Sequence, residues 1–218
     1  MDQTTIVINA AGCGSRLGKN LPKSLVEIAG KPILEWQLTT LCQFGDAVRI
    51  VVGYRGDEVG ELASRVFPGI EILQNKTWKT TKTAASLSIG ANGLEGRCLS
   101  LDGDLLVHPE DFRRILLAGE NMIGVTQPGT SHPVFADVNS SGFCTGLSYG
   151  KKSRYEWTGL VNFFPPEVPP SDRNVYEMIE GILPVAAMDI RCVEIDTPED
   201  LLRADQDWPT LLEVPANG

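Results

Sequence analysis

The sequence has no apolar run approaching the roughly 20 residues that a membrane-crossing helix needs. It has no basic stretch ahead of an apolar core at its start, the pattern of a secretory leader. A cytoplasmic protein without a membrane partner is expected. Positive charge is scarce: 19 Lys and Arg against 28 Asp and Glu leave a net charge of −9 over 218 residues. That balance argues against a nucleic-acid-binding surface, and it obliges any anionic ligand to be met by local cations. Histidine is nearly absent, and His108 and His132 each stand beside a proline in predicted loops without an assigned role. The cysteines Cys13, Cys42, Cys98, Cys144 and Cys192 are odd in number and include no Cys-x-x-Cys pair. Their spacing excludes a zinc ribbon and a disulfide framework, and core thiols in a reducing compartment are expected. No internal repeat or low-complexity tract is present.

What remains is ordinary globular material, 42% hydrophobic and 22% charged, long enough for one well-buried domain over 1–218. Short β-branched runs alternate with helical spacing. Strands are predicted over 6–9, 48–52, 70–73 and 97–101, with helices over 32–44, 57–66 and 83–91; Gly45 suits the end of the first helix. Such βα alternation predicts an α/β fold with a mainly parallel sheet. Beyond about residue 120 the texture turns β-rich, with strands over 122–126, 134–139, 143–149 and 157–164 and a hairpin turn at 139–142. This marks a β-rich insertion at about 127–165. Pro165-Pro166 and Pro169-Pro170 bracket a rigid link, Ser171 is a predicted cap for a helix reaching Leu183, and a last strand (190–195) and helix (198–206) precede a loose tail.

The chemistry is concentrated near the start. Ile6 to Asn9 run into Gly12-Cys13-Gly14-Ser15-Arg16-Leu17-Gly18, with Lys23 following Pro22. Glycines let backbone N–H groups approach phosphate oxygens, and Arg16 and Lys23 add the charge that glycine lacks. A dinucleotide fingerprint is excluded because the third glycine comes one residue late and Pro22 disfavours helix just before it. A Walker loop is excluded because Cys13 stands where its first glycine belongs and Asn20 where it needs Ser or Thr. Cys13 sits inside the loop, so thiol reagents are expected to obstruct it. Downstream, Asp102-Gly103-Asp104 closes a predicted strand, where parallel sheets bind ligands, and its hard carboxylate oxygens suit magnesium.

The ordered run from Ala10 to Gly18, followed by Pro22-Lys23-Ser24-Leu25 and on to Leu34, resembles the signature of the nucleotidylyltransferase superfamily (NTP-transferase, MobA-like). The compact link 18–22 looks more like the small cytidylyltransferases acting on phosphocholine or phosphonates than like sugar-nucleotide enzymes. The resemblance implies a Rossmann-like (GT-A-like) fold with helices on both faces of a mixed, mainly parallel sheet. It implies transfer of a nucleotidyl group from an NTP, CTP favoured, to a small phospho- or phosphono-compound with Mg2+, a homodimer being open. Lys23 and Arg16 would be the catalytic cations. Ala10, Ala11, Gly12, Gly14, Ser15, Thr83, Ser86 and Asp102 would hold the nucleotide, and Asp104 and Asp196 the metal. Thr81 and Thr83 are equally readable as helix caps, and Asp196 as the cap ahead of Pro198. Arg154, Glu156 and Trp157 would meet the acceptor; a carboxylate beside an aromatic ring suits an ammonium group. Competing readings are a sugar-1-phosphate nucleotidylyltransferase, a glycosyltransferase with an Asp-x-Asp metal site, and a non-catalytic nucleotide sensor.

Overall fold

The computed structural model describes residues 4–44, 47–165 and 172–214. Strand β1 (Thr4–Ala10) leads into two single-turn 3-10 segments, Ser15–Leu17 and Lys23–Leu25, and a ribbon of β2 (Glu27–Ile28) and β3 (Lys31–Pro32). The predicted alternation follows: α1 (Ile33–Leu41), β4 (Ala47–Val52), α2 (Gly56–Val66), β5 (Glu71–Gln74), α3 (Thr83–Ala91) and β6 (Arg97–Asp102). Next come β7 (Leu105–Val107), α4 (Pro109–Leu116), β8 (Met122–Thr126), β9 (Phe135–Val138), β10 (Phe143–Ser148) and β11 (Tyr155–Phe163). The described chain ends with α5 (Val175–Ile179), β12 (Val185–Asp189), β13 (Cys192–Glu194) and α6 (Pro198–Leu212).

Nine strands form one sheet in the order β5-β4-β1-β6-β11-β8-β12-β10-β9. The pairings make β10 and β11 run against the other seven, so the sheet is mixed but mainly of one direction. Side chains alternate across β1, and each face has its own cover. Ile6 and Ile8 pack with Leu34 and Leu38 of α1, Val59 and Leu62 of α2 and Phe112 and Ile115 of α4. Val7 packs the other way, against Leu87 of α3 and in one core with Val175 and Ile179 of α5. The stretch 127–165 is no separate layer: β9, β10 and β11 continue the sheet that β1 begins. Strand β9 pairs with β10 and, through Ala136 and Phe135, also with β11. Strands β11, β8, β12, β10 and β9 therefore close into a ring.

His108 stands in the connection between β7 and α4, as expected, and caps α4, its Nδ1 accepting from Glu110 N at 3.3 Å. Several expectations are corrected. Strand β12, in a stretch for which no element was expected, pairs in parallel with β8. Helix α6 runs past 206 to Leu212, through Pro209. Helix α1 stops at Leu41 rather than 44, and Gly45 lies outside the described residues. So do Pro166, Pro169, Pro170, Ser171 and 215–218. The helix expected from Ser171 begins at Val175, capped by Asn174 in a reciprocal box with Glu177. No helix among the described residues is long and apolar enough to cross a membrane.

Candidate active site

The loop after β1 folds as its glycines dictate. Gly14 has a left-handed backbone, with φ of 60°, and a Cβ there would stand 2.6 Å from Lys23 Cγ. An L side chain would be both strained and in the way, so Gly14 is what lets the Lys23 stem cross the loop. Arg16 lies in the following 3-10 turn, and Pro22 stops the chain from continuing as helix before Lys23 opens its own turn.

Three carboxylates meet these cations. Strands β1 and β6 run in parallel with Asn9 opposite Asp102, which brings the loop and the Asp102-Gly103-Asp104 turn to one end of the sheet. Gln37 Nε2 of α1 donates to the carbonyls of Asp102 and Leu105, each at 2.8 Å, and fixes that turn. Asn9 Nδ2 donates to Ser100 Oγ and to Asp102 Oδ1. Asp196 arrives between β13 and α6. It is not the helix cap: Thr197 is, its Oγ1 accepting from Asp200 N while Asp200 Oδ2 accepts from Thr197 N. Asp196 is thereby left free to face the centre.

There Lys23 Nζ stands 2.7 Å from Asp104 Oδ2 and 2.5 Å from Asp196 Oδ1, and Arg16 Nη1 is 2.5 Å from Asp196 Oδ2. Burial works to lower the Lys23 ammonium, but Asp104 and Asp196 together outweigh it and hold it raised. Burial, reinforced by Asp104, pushes Asp102 well up, and the same two causes raise Glu194, the residue two before Asp196. Gly159 of β11 sits over Asp102; its φ is 84°, and a Cβ would fall 2.5 Å from Asp102 Oδ2.

Two cavities open on this centre. One of about 310 Å³ is walled by Asn9, Ala10, Gly12, Gly14 and Ser15, with Cys13 and Ser24 among its neighbours. The other, of about 190 Å³, is walled by Trp157 of the ring, by Thr130, His132 and Tyr149 in the loops that leave it, by Tyr176 of α5 and by Glu194 of β13. Arg16, Lys23, Thr83, Asp102 and Asp104 border both. Tyr149 and Tyr176 meet edge-on, with ring centroids 5.3 Å apart. The second cavity thus combines aromatic walls with acidic groups, a lining suited to a cation.

The expected loop residues, Ala11 excepted, and Asp102, Asp104 and Asp196 are brought together. Four expected residues, Ala11 among them, stand elsewhere. Ala11 is buried and borders neither cavity; its carbonyl accepts from Tyr54 N. Ser86 is likewise buried, its hydroxyl accepting from Asn75 Nδ2 at 3.1 Å. Strand alternation sends Glu156 to the opposite side from Trp157: Glu156 Oε2 accepts from Thr130 N and Oγ1 and borders a rear cavity of about 240 Å³ beside Asp200 and Arg203. Arg154 borders none of these cavities and lies over the Tyr155 ring. Thr83 does border both working cavities, and its Oγ1 accepts from Val175 N, bonding the start of α3 to the start of α5. It caps nothing in α3, where Lys82 holds the cap position. Thr130, His132, Tyr149, Tyr176 and Glu194 are lining residues that no short motif announces.

The pair Asp104 and Asp196 fits a divalent ion, because the two carboxylates already converge on one cation, the Lys23 nitrogen. No group of three or more His, Cys, Asp or Glu among the described residues is arranged to hold a metal. An ion on this pair would complete its shell with phosphate oxygens and water, as Mg2+ commonly does.

Comparison with known proteins bears on the family and the fold. The family described as MobA-like NTP transferase domain matches residues 6–154. A 2-aminoethylphosphonate cytidylyltransferase from Lancefieldella rimae is 25% identical over 171 residues, covering 76% of this chain and 69% of that one. A CMP-5'-(3-aminopropyl)phosphonate synthase from Streptomyces rubellomurinus is 35% identical over 120 residues, 52% of this chain but only 19% of that longer protein. Among solved structures, the inositol-1-phosphate CTP transferase from T. maritima superposes with a TM-score of 0.81 at 17% identity, over 100% of this chain and 99% of that one.

Proposed function

The chain belongs to the MobA-like NTP transferase domain family and is a nucleotidyltransferase, and from that premise we propose that it transfers CMP from CTP to a small phosphonate or phosphate acceptor bearing an ammonium group. Pyrophosphate is the second product. The observation that carries this reading is the meeting of two cavities at Lys23, Arg16 and Asp104. The loop-side cavity suits a triphosphate, with glycine amides and Arg16 at its wall. The ring-side cavity suits an acceptor whose anionic end lies at Lys23 and whose ammonium lies among Trp157, Tyr149 and Tyr176. The aminoalkylphosphonates named for two relatives are of this kind.

The acceptor oxygen is already ionised at neutral pH, so no strong base is required. It attacks the α-phosphorus as the bond to the β-phosphate oxygen breaks, and the electron pair leaves with pyrophosphate. Lys23 holds the α-phosphoryl oxygens as negative charge builds on them, the kind of donor whose effect grows in the transition state. The amides of Gly12 and Gly14, with Arg16, hold the departing pyrophosphate. Mg2+ on Asp104 and Asp196 would lessen the repulsion between the two anions. Thr83 keeps the two cavity walls in register through its bond to Val175. The proposal is of a cytoplasmic enzyme, in whose compartment thiols stay reduced.

The test is pyrophosphate release with Mg2+, offering CTP, UTP, GTP and ATP separately to 2-aminoethylphosphonate, phosphocholine and sugar 1-phosphates. Release confined to CTP with an ammonium-bearing acceptor is expected. Release confined to sugar 1-phosphates would overturn the acceptor assignment, and release with another nucleotide would overturn the choice of base.

A further inference from the structure

Lys23 occupies the oxygens that a divalent ion needs. Its Nζ is within hydrogen-bond reach of Asp104 Oδ2 and Asp196 Oδ1, and Arg16 takes the remaining oxygen of Asp196. Three of the four oxygens of the metal-binding pair therefore already carry a cationic partner. A divalent ion on the same oxygens would lie against the ammonium, and like charges that close repel strongly in a partly buried site. Burial limits relief by solvent: the Lys23 side chain is 16% exposed and that of Asp196 8%. Relief has to come from movement of the lysine. Lys23 borders the loop-side cavity as well, so its flexible stem has an anionic destination as soon as a triphosphate arrives.

We infer that Lys23 gates metal entry. Its ammonium and a divalent ion compete for Asp104 and Asp196, so the ion binds together with the nucleotide rather than to the nucleotide-free chain. Phosphate draws the ammonium away, and the vacated carboxylates accept the ion that the triphosphate carries. Lys23 thus has two roles, contact with the phosphate and exclusion of metal in its absence. The inference rests on the nucleotidyl-transfer reading of the site but needs no acceptor.

The test is binding of Mn2+ to the full chain without nucleotide, followed by the resonance of the free ion. Lys23→Met keeps the stem and removes the charge; it is expected to bind Mn2+ at least ~10-fold more tightly than the native chain, while turnover falls. Lys23→Arg is expected to keep the weak native binding, and Lys23→Met with Asp104→Asn to lose the gain. Equal affinity in the native chain and Lys23→Met would overturn the inference. Should Lys23→Met not fold, the native chain decides by water-proton relaxation with Mn2+ and α,β-methylene CTP. Enhancement in the ternary mixture beyond the sum of the binary ones is expected, and full enhancement with Mn2+ and protein alone would overturn the gate. No acceptor is present in either measurement, so a wrong acceptor assignment would leave both readouts unchanged.

Discussion

At the scale of single residues, the centre is a contest among charges. Lys23 stands between two carboxylates, where its ammonium stays protonated throughout the working range. Lys23→Ala is expected to lower turnover at least ~10²-fold, as loss of one transition-state donor does; stopped assays of pyrophosphate release check it, with circular dichroism to verify folding. Trp157 belongs to the acceptor side. Trp157→Leu is expected to raise KM between about two- and thirtyfold for an ammonium-bearing acceptor, the range of cation–π attraction, with KM for CTP unchanged; equal loss with an acceptor lacking the ammonium would count against that contact. The loop and its cations were legible in the sequence because they lie close along the chain, where glycine, arginine and lysine have few other reasons to cluster. Glu156 misled for a local reason: it is next to Trp157, and in a strand adjacent residues face apart. Ser86 misled because a hydroxyl one turn into a helix can satisfy a buried neighbour, here Asn75, as readily as a ligand.

At the scale of elements, helix ends do much of the positioning. The reciprocal cap of Thr197 and Asp200 starts α6, and Asp200 Oδ2 also accepts from Asp196 N at 3.3 Å. Thr197→Ala is expected to cost about 1 kcal/mol, the usual value of a lost cap, measured as a lower urea midpoint with unchanged slope. Since the same cap holds the Asp196 backbone, activity should fall further than stability alone accounts for. The elements that escaped the sequence share a physical cause. Strand β12, Val185-Ala186-Ala187-Met188-Asp189, has a single strand-favouring residue, Val185, and its place is decided by pairing with β8. Helix α4 escaped because it spans only eight residues: Phe112, Ile115 and Leu116 stand at helical spacing but cover little more than one turn. Helix α6, expected to end at 206, continues through Pro209 to Leu212, and Trp208 is buried against the core.

At the scale of the whole molecule, the last third of the chain is tied back to the middle third by a buried pair. Asp111 of α4 takes three bonds from Arg191, from its backbone N, Nε and Nη2, at 2.9, 2.8 and 3.1 Å. Burial works to raise this carboxyl, but the bonds from Arg191 outweigh it and leave it below the usual aspartate value. A carboxyl lowered in the folded state gives stability that is fully present above its unfolded value, near 3.9, and is lost as pH falls through the folded value. The native chain should therefore lose stability below about pH 4. Asp111→Asn should be less stable at neutral pH and show a smaller loss on acidification, read from urea midpoints across that range. A pair so remote in sequence, 80 residues apart, leaves no mark that a reading of neighbours could find. Tyr149, Tyr176 and Glu194 of the ring-side cavity escaped for the same reason, since they come from separate segments.

The closed ring of β11, β8, β12, β10 and β9 has a mechanical consequence. A hoop cannot be widened by prising apart one seam, because every strand in it is held on both sides. The wall bearing Trp157 and Thr158 therefore cannot dilate to admit a bulkier guest. Any change in what the cavity accepts must come from trimming a side chain or from exchanging the loops that leave the hoop, such as those bearing Thr130 and Tyr149. Those loops are where redesign of its preference should begin.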